Sequence, residues 1–288
     1  MVMLTFTWGV GQVAAKVSTE GFSPVFLTMA RSAIGLLVIL LWCAVRRISL
    51  FERDGTLGAG FLAGALFGLE FVLIFLGLNF TTAARATLMI NTMPFFVLIG
   101  AHFVLGERIT LRRLSGVGLA FLGVGLVLSD DLSAPGDGVL IGDLLCLAGG
   151  AAWAATTLVI KGSRLSQVRG EKTLAYQLAI SALVMVPFLP LAGPMLRELS
   201  ALATGALLFQ GILVVGVTYL IWFTMIRTYS ATGLSSFAFL SPVFGVLAGG
   251  ILLGEPLSIR IFGALVLIAV GLVLVNRTGR RRQPSRSG

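Results

Sequence analysis

Apolar runs of about 20 residues, separated by short polar breaks, repeat from one end of the chain to the other. At 1.5 Å per residue, about 20 helical residues cross the hydrocarbon core of a bilayer. The pattern predicts ten membrane helices, at about 2–18, 24–45, 56–78, 81–105, 110–128, 139–160, 173–193, 203–226, 230–253 and 258–276. The breaks carry loop punctuation: Arg46-Arg47, the acidic run DDLSAPGDG from Asp130 to Gly138, and SRLSQVRGEK from Ser163 to Lys172. The ten-residue alternation of a membrane β-barrel is absent. The opening run VMLTFTWGVGQVAAKV lacks a basic leader and a small-residue cleavage site, so it reads as a first membrane helix. The expected fold class is therefore all-α integral membrane.

Composition agrees, with 57% of the 288 residues apolar and 11% charged. Soluble chains carry roughly 25% charged residues. Cys43 and Cys146 sit deep in apolar runs and imply no disulfide framework. A single histidine, His102, leaves no base for a serine or cysteine triad and argues against most zinc sites, so no cofactor or metal is expected. His102 itself reads as a packed residue with one hydrogen bond.

Lysine and arginine accumulate in cytoplasmic loops. With the amino terminus inside, Arg46, Arg47 and Arg53 fall on the cytoplasmic side, as do Arg108, Arg112 and Arg113. The same side receives Lys161, Arg164, Arg169, Lys172 and Arg227, then Arg277 and the arginines of the tail. The opposite side receives Lys16, Arg85, Arg197 and Arg260, and Arg31 stays inside a helix. The net charge of +9 is thus mostly a topology signal. It faces anionic membrane lipid and not nucleic acid, because no basic patch is interleaved with stacking aromatics.

The chain also repeats. An offset of 148 aligns Pro94 with Pro242, Leu105-Gly106-Glu107 with Leu253-Gly254-Glu255, Thr110 with Ser258 and Gly123 with Gly271. An offset of 145 aligns Trp8 and Lys16 with Trp153 and Lys161. Two five-helix units are expected, 1–130 and 139–276, joined by an acidic extracytoplasmic linker, 131–138, and followed by a basic cytoplasmic tail, 277–288. Five is odd, so the second unit enters the membrane from the opposite face and the repeats are inverted. The corner at Glu107 then faces the cytoplasm and its twin at Glu255 the outside, which explains why only the first is rich in arginine. Both glutamates read as corner-closing residues, and Thr110 and Ser258 as hydroxyl N-caps.

The run TTAARATLMINTMPFFVLIGAHFVLGERIT and its partner YSATGLSSFAFLSPVFGVLAGGILLGEPLS, with a Trp near the start of each half, resemble the EamA family of the drug/metabolite transporter superfamily. The resemblance covers nearly the whole chain. It implies ten helices in two halves and bacterial export of amino acids or related metabolites; the aromatic density is similar to that of the YddG-type amino-acid exporters.

Polar groups inside lipid point to a cavity, since a charge at the bilayer centre costs about 2.5 to 3.5 kcal/mol on insertion scales. Trp8, Gln12 and Lys16 share one face of the first helix, and Trp153, Thr157 and Lys161 form the matching stripe in the sixth. The tryptophans are either cavity lining or interfacial anchors, and the lysines are near enough to helix ends to snorkel. Glu70 lies well inside a span, where it either binds a substrate ammonium, carries a coupling proton, or pairs with Arg31 or Arg85. Asn91 precedes Pro94, whose missing donor and ring loosen the helix, so Pro94 and Pro242 read as paired hinges. Tyr176, Gln177, Tyr219, Trp222, Ser235 and Phe239 complete the expected substrate-binding set. Gly60, Gly64 and Gly68, and again Gly245 and Gly249, allow close helix approach within one chain or between two, which leaves a homodimer open.

These features together predict a secondary active exporter of small amphipathic metabolites in the bacterial inner membrane, both termini cytoplasmic. No nucleotide-binding loop is present to drive it. A nucleotide-sugar or other metabolite exchanger, or an uptake transporter of similar architecture, is the alternative. An intramembrane enzyme would need a denser constellation than Glu70 and His102.

Overall fold

The computed structural model describes residues 1–50, 52, 54–129, 138–254, 257 and 259–277. Glu255, Pro256, Ser258, Arg53, the linker 131–137 and the tail beyond Arg277 lie outside the described residues, and with them the N-cap expected at Ser258. The described chain is helical, and its only strand-like feature is one isolated bridge between Phe22 and Leu196.

The helices are α1 (Val2–Gly21), α2 (Pro24–Val45), α3 (Leu57–Leu78), α4 (Ala83–Ile90), α5 (Met93–Leu105), α6 (Leu111–Leu128) and α7 (Val139–Gly162). They continue with α8 (Gly170–Met185), α9 (Ala201–Phe209), α10 (Tyr219–Thr228), α11 (Ala231–Ser236), α12 (Leu240–Leu253) and α13 (Arg260–Asn276). Nine π-helical residues, Gln210–Thr218, join α9 to α10, and a 3-10 turn, Phe237–Phe239, joins α11 to α12.

Among the described residues, eight helical stretches are long and apolar enough to cross a membrane: α2, α3, α4 with α5, α6, α7, Gly170–Pro190, Ala201–Thr228 and Ala231–Leu253. The expected ten is not reached on that measure. Arg260–Asn276 is apolar, but its 17 residues reach only about 26 Å against a core of about 30 Å. Val2–Gly21 is long enough, but carries Thr5, Thr7, Gln12, Lys16, Thr19 and Glu20.

The ends of the helices follow from local chemistry. Ser23 caps α2 by accepting from the Phe26 amide, and Pro24 behind it has no amide to leave unpaired. Thr110 caps α6 by accepting from the Arg113 amide at 3.2 Å, as expected from the sequence. Gly106 and Gly254, at φ 68° and 70°, close α5 and α12 in the left-handed region that glycine enters without a Cβ clash.

Packing sets the helices in a definite arrangement. The partners are α6 with α13, α2 with α8, α3 with both α7 and α8, α1 with both α12 and the α9/π stretch, α2 with the π segment, and α7 with both α4 and α5. Glycine makes the closest of these approaches possible. A Cβ on Gly60 would lie 2.5 Å from the Tyr176 ring, one on Gly64 2.7 Å from Ile180, and one on Gly68 2.9 Å from Val184. Gly245 packs against Gln12 and Gly9 of α1. Gly60, Gly64, Gly68 and Gly245, left open by the sequence, are therefore used inside the chain.

Candidate functional site

A cavity of about 230 Å³ lies where α1, α3, α7, α8, the π segment and α10 converge. Of the residues expected to bind substrate, Trp8, Gln12, Glu70, Trp153, Thr157, Gln177, Tyr219 and Trp222 line it. Segments from both halves of the chain contribute, because the stripe on α1 and the matching stripe on α7 face the same space.

One wall is a train of edge-to-face rings. Trp222 meets Trp8 at 5.5 Å between centroids, Trp8 meets Tyr219 at 6.0 Å, Tyr219 meets Phe67 at 6.0 Å, and Phe67 meets Phe71 at 5.1 Å. Such pairs favour edge-to-face geometry through the ring quadrupole. At the end of the train the Arg31 guanidinium carbon lies 4.3 Å from the Phe71 ring centroid, a cation–π contact that holds the cation at the cavity.

The polar wall divides into two groups. Trp8 Nε1 donates to Thr218 Oγ1 at 2.8 Å, Gln12 Nε2 to Ser241 Oγ at 3.3 Å, and Gln210 Nε2 to Ser18 Oγ at 3.3 Å. In the second group, Arg31 Nε and Nη2, Glu70 Oε2 and Gln177 Oε1 are buried without a hydrogen-bond partner. Glu70 is only 5% exposed. Neither Arg31 nor Glu70 takes part in an ion pair among the described residues, where Arg85 pairs with Asp143, Arg113 with Glu107 and Lys172 with Asp54.

Four expected site residues are elsewhere. Asn91 ends α4, donating from Nδ2 to the Thr87 carbonyl at 2.8 Å, so its amide serves the helix break and not the cavity. Tyr176 does not line the cavity and packs its ring over Gly60. Ser235 and Phe239 are fully buried; Phe239 sits 6.5 Å from Phe121 in the core shared by α6 and α13. Pro94 and Pro242 occupy the first turn of α5 and α12, immediately after the interruptions at Asn91-Thr92 and Phe237–Phe239. In the first turn a missing amide costs little, so the interruption comes just before each proline and not at it.

Sequence reasoning missed Gln210, Ser241, Phe67 and Phe71, and gave Arg31 no role beyond pairing. Arg31 and Gln210 had a legible signal, since each is a polar residue in the middle of an apolar span. His102 is exposed and not packed, with its Nδ1 3.0 Å from the Glu107 carbonyl oxygen. Glu107 closes its corner as expected, through Arg113, and its Oε1 also accepts from the Ala231 amide at 2.8 Å.

The family profile described as the EamA-like transporter family matches residues 1–129 and 140–277. The chain belongs to the EamA-like transporter family. It is a multi-pass membrane protein, and the transport assignment of the family agrees with the absence of catalytic chemistry expected from the sequence. Among similar proteins, an uncharacterized transporter, YvbV, of Bacillus subtilis is 28% identical over 100% of this chain and 94% of its own length. A probable amino-acid metabolite efflux pump of Escherichia coli is 24% identical over 95% of this chain and 92% of its own. A solved crystal structure superposes with a TM-score of 0.83 at 21% identity, covering 98% of this chain and 97% of the other, which supports the fold.

Proposed function

We propose that this EamA-family chain is a secondary active exporter of amino acids or related small amphipathic metabolites, acting by alternating access between two inverted five-helix repeats, 1–130 and 139–276. The even number of crossings in two such repeats would put both termini on one side, which the arginine bias of the loops makes the cytoplasm, in a bacterial inner membrane. The observation that carries this reading is an exchange symmetry in the packing. If α1, α2, α3, α4/α5 and α6 are exchanged with α7, α8, the α9–π–α10 stretch, α11/α12 and α13, the contacts map onto one another. The α6–α13 and α2–α8 pairs map onto themselves, α3 on α7 becomes the α9/π stretch on α1, and α5 on α7 becomes α12 on α1.

Two halves of one shape and opposite orientation can trade conformations, opening a central site to one side and then the other. Pro94 and Pro242, beside matched helix interruptions, would act as the paired hinges. An aromatic cavity with a few polar groups suits a small amphipathic solute. A nucleotide sugar is less well served, because its diphosphate would meet a single arginine and a carboxylate.

Purified protein in sealed liposomes should give saturable flux of one or more radiolabelled amino acids and none of a nucleotide sugar. Trp153→Ala should abolish most of that flux while the protein remains folded. Non-saturable flux, or flux unchanged in Trp153→Ala, would remove the alternating-access reading.

A further inference from the structure

The unpartnered groups of the cavity form a pattern. Buried polar atoms are normally hydrogen-bonded, and each exception asks for a physical reason, of which an absent ligand is one. Trp8, Gln12 and Gln210 have side-chain partners, so the cavity wall is capable of satisfying its own polar atoms. Arg31 on α2, Glu70 on α3 and Gln177 on α8 leave buried atoms unmet, and all three line one space.

Their needs are opposite. Arg31 Nε and Nη2 are donors in want of an acceptor, and a guanidinium best matches a carboxylate. Glu70 Oε2 and Gln177 Oε1 are acceptors in want of a donor, and a carboxylate best matches an ammonium. Among the described residues, Arg31 and Glu70 are also the only charged ones that line the cavity, so that wall carries no net charge when both are ionised. A ligand of single sign would satisfy one of them and repel the other.

We propose that Arg31 holds the α-carboxylate, and Glu70 with Gln177 Oε1 the α-ammonium, of a zwitterionic amino acid whose apolar or aromatic side chain lies against Trp8, Tyr219 and Trp222. The proposal rests on the reading of this cavity as the transport site and specifies what that site recognises. The Phe71 ring beneath the guanidinium fixes Arg31 without using its N–H donors, which keeps them available to the ligand.

The test uses ligands that lack one charge each. Three of the chain's four tryptophans, Trp8, Trp153 and Trp222, line the cavity, so ligand binding is read by intrinsic fluorescence. L-Phenylalanine, phenethylamine, which has no carboxylate, and N-acetyl-L-phenylalanine, which has no ammonium, are titrated into protein in lipid nanodiscs. Wild type should bind L-phenylalanine about tenfold or more tightly than either analogue, the scale of a lost charge-assisted hydrogen bond. Arg31→Gln should erase the gap to phenethylamine and keep the gap to the N-acetyl compound; Glu70→Gln should do the reverse.

Each result is a ratio between ligands on one preparation, so partial loss of folded protein does not move it. Wild type that binds phenethylamine as tightly as L-phenylalanine, gives no response to L-phenylalanine, or has variants that weaken all three ligands equally, would overturn the proposal. The same ligands assayed for liposome flux keep the two readings apart. Saturable L-phenylalanine flux without discrimination removes the paired recognition and leaves transport standing. Discrimination in binding with no amino-acid flux removes transport and leaves the recognition site.

Discussion

At the scale of single residues, two buried or half-buried lysines do work that their positions near helix ends did not announce. Lys161 does not snorkel freely. Its ammonium donates to the carbonyl oxygens of Ile226 at 2.5 Å, Arg227 at 3.2 Å and Tyr229 at 2.7 Å, where α10 ends and its last carbonyls have no helical partner. A cation there also meets the negative end of the helix dipole. Lys172, 5% exposed, donates at 2.7 Å both to the Glu52 carbonyl and to Asp54 Oδ2 in the loop between α2 and α3. The Lys172 hydrogen bond, followed by that from the Thr56 hydroxyl, lowers the Asp54 carboxyl from 3.8 to about 2. A carboxyl lowered on folding stabilises the folded state above its ordinary value, and that contribution disappears as pH falls through the folded value. Asp54→Ala should therefore lower the melting temperature by an amount that is constant above pH 3.8 and narrows toward pH 2. Thermal unfolding of the detergent-solubilised pair at pH 7, 5 and 3 checks this, and a difference that widens on acidification would contradict it.

At the scale of helices, the sequence made most of the bundle legible, because apolar runs, arginine breaks and hydroxyl caps act locally. The spans α2, α3, α6 and α7 fall within a few residues of expectation, and Thr110 caps where its position before an apolar run implied. What stayed hidden depends on facing partners. Tyr176 and Gln177 are neighbours on α8, yet one packs over Gly60 and the other lines the cavity; the polar Gln177 carried the signal of a cavity residue, whereas a tyrosine suits a cavity and a helix contact equally. The π segment was equally unreadable, since the two glycines and five β-branched residues of Gln210–Thr218 weaken a helix without saying which pattern replaces it; in the structure Gly211 packs against Ile34 and Gly216 against Val38. The glycines of α3 give the sharpest test at this scale. A side chain at Gly64 meets Ile180 Cβ at 2.7 Å and the Tyr176 carbonyl at 3.0 Å, whereas Gly58 has nothing within 4 Å. Gly64→Val should cost about 1–3 kcal/mol by forcing α3 away from α8. Gly58→Val should cost far less, and equal losses in urea or thermal unfolding would mean that the α3–α8 contact is not what the glycine serves.

At the scale of the whole molecule, the proposed inversion makes opposite demands on two corners of the same shape. Gly106 and Gly254 leave their helices with nearly identical left-handed geometry, φ 68° and ψ 17° against φ 70° and ψ 23°. The residues after them differ: Arg108, Arg112 and Arg113 follow the first, and within the same distance only Arg260 follows the second. Positive charge is retained on the cytoplasmic side of short loops. One fold with two charge patterns is the expected result if the corners lie on opposite faces of the bilayer, and has no purpose if they share a face. Cys43 and Cys146 are buried, so a cysteine introduced at Arg108 or at the exposed Leu257 is a clean reporter for a membrane-impermeant maleimide. Arg108→Cys should label in inside-out vesicles and resist labelling in intact cells, and Leu257→Cys should do the opposite. Tags on the two termini should share the cytoplasmic side, because an even number of crossings separates them. Labelling of both cysteines from one side would mean that the halves run parallel. The exchange symmetry of the helix packing would then relate the halves about an axis along the membrane normal, and the inverted-repeat basis proposed here for alternating access would be lost.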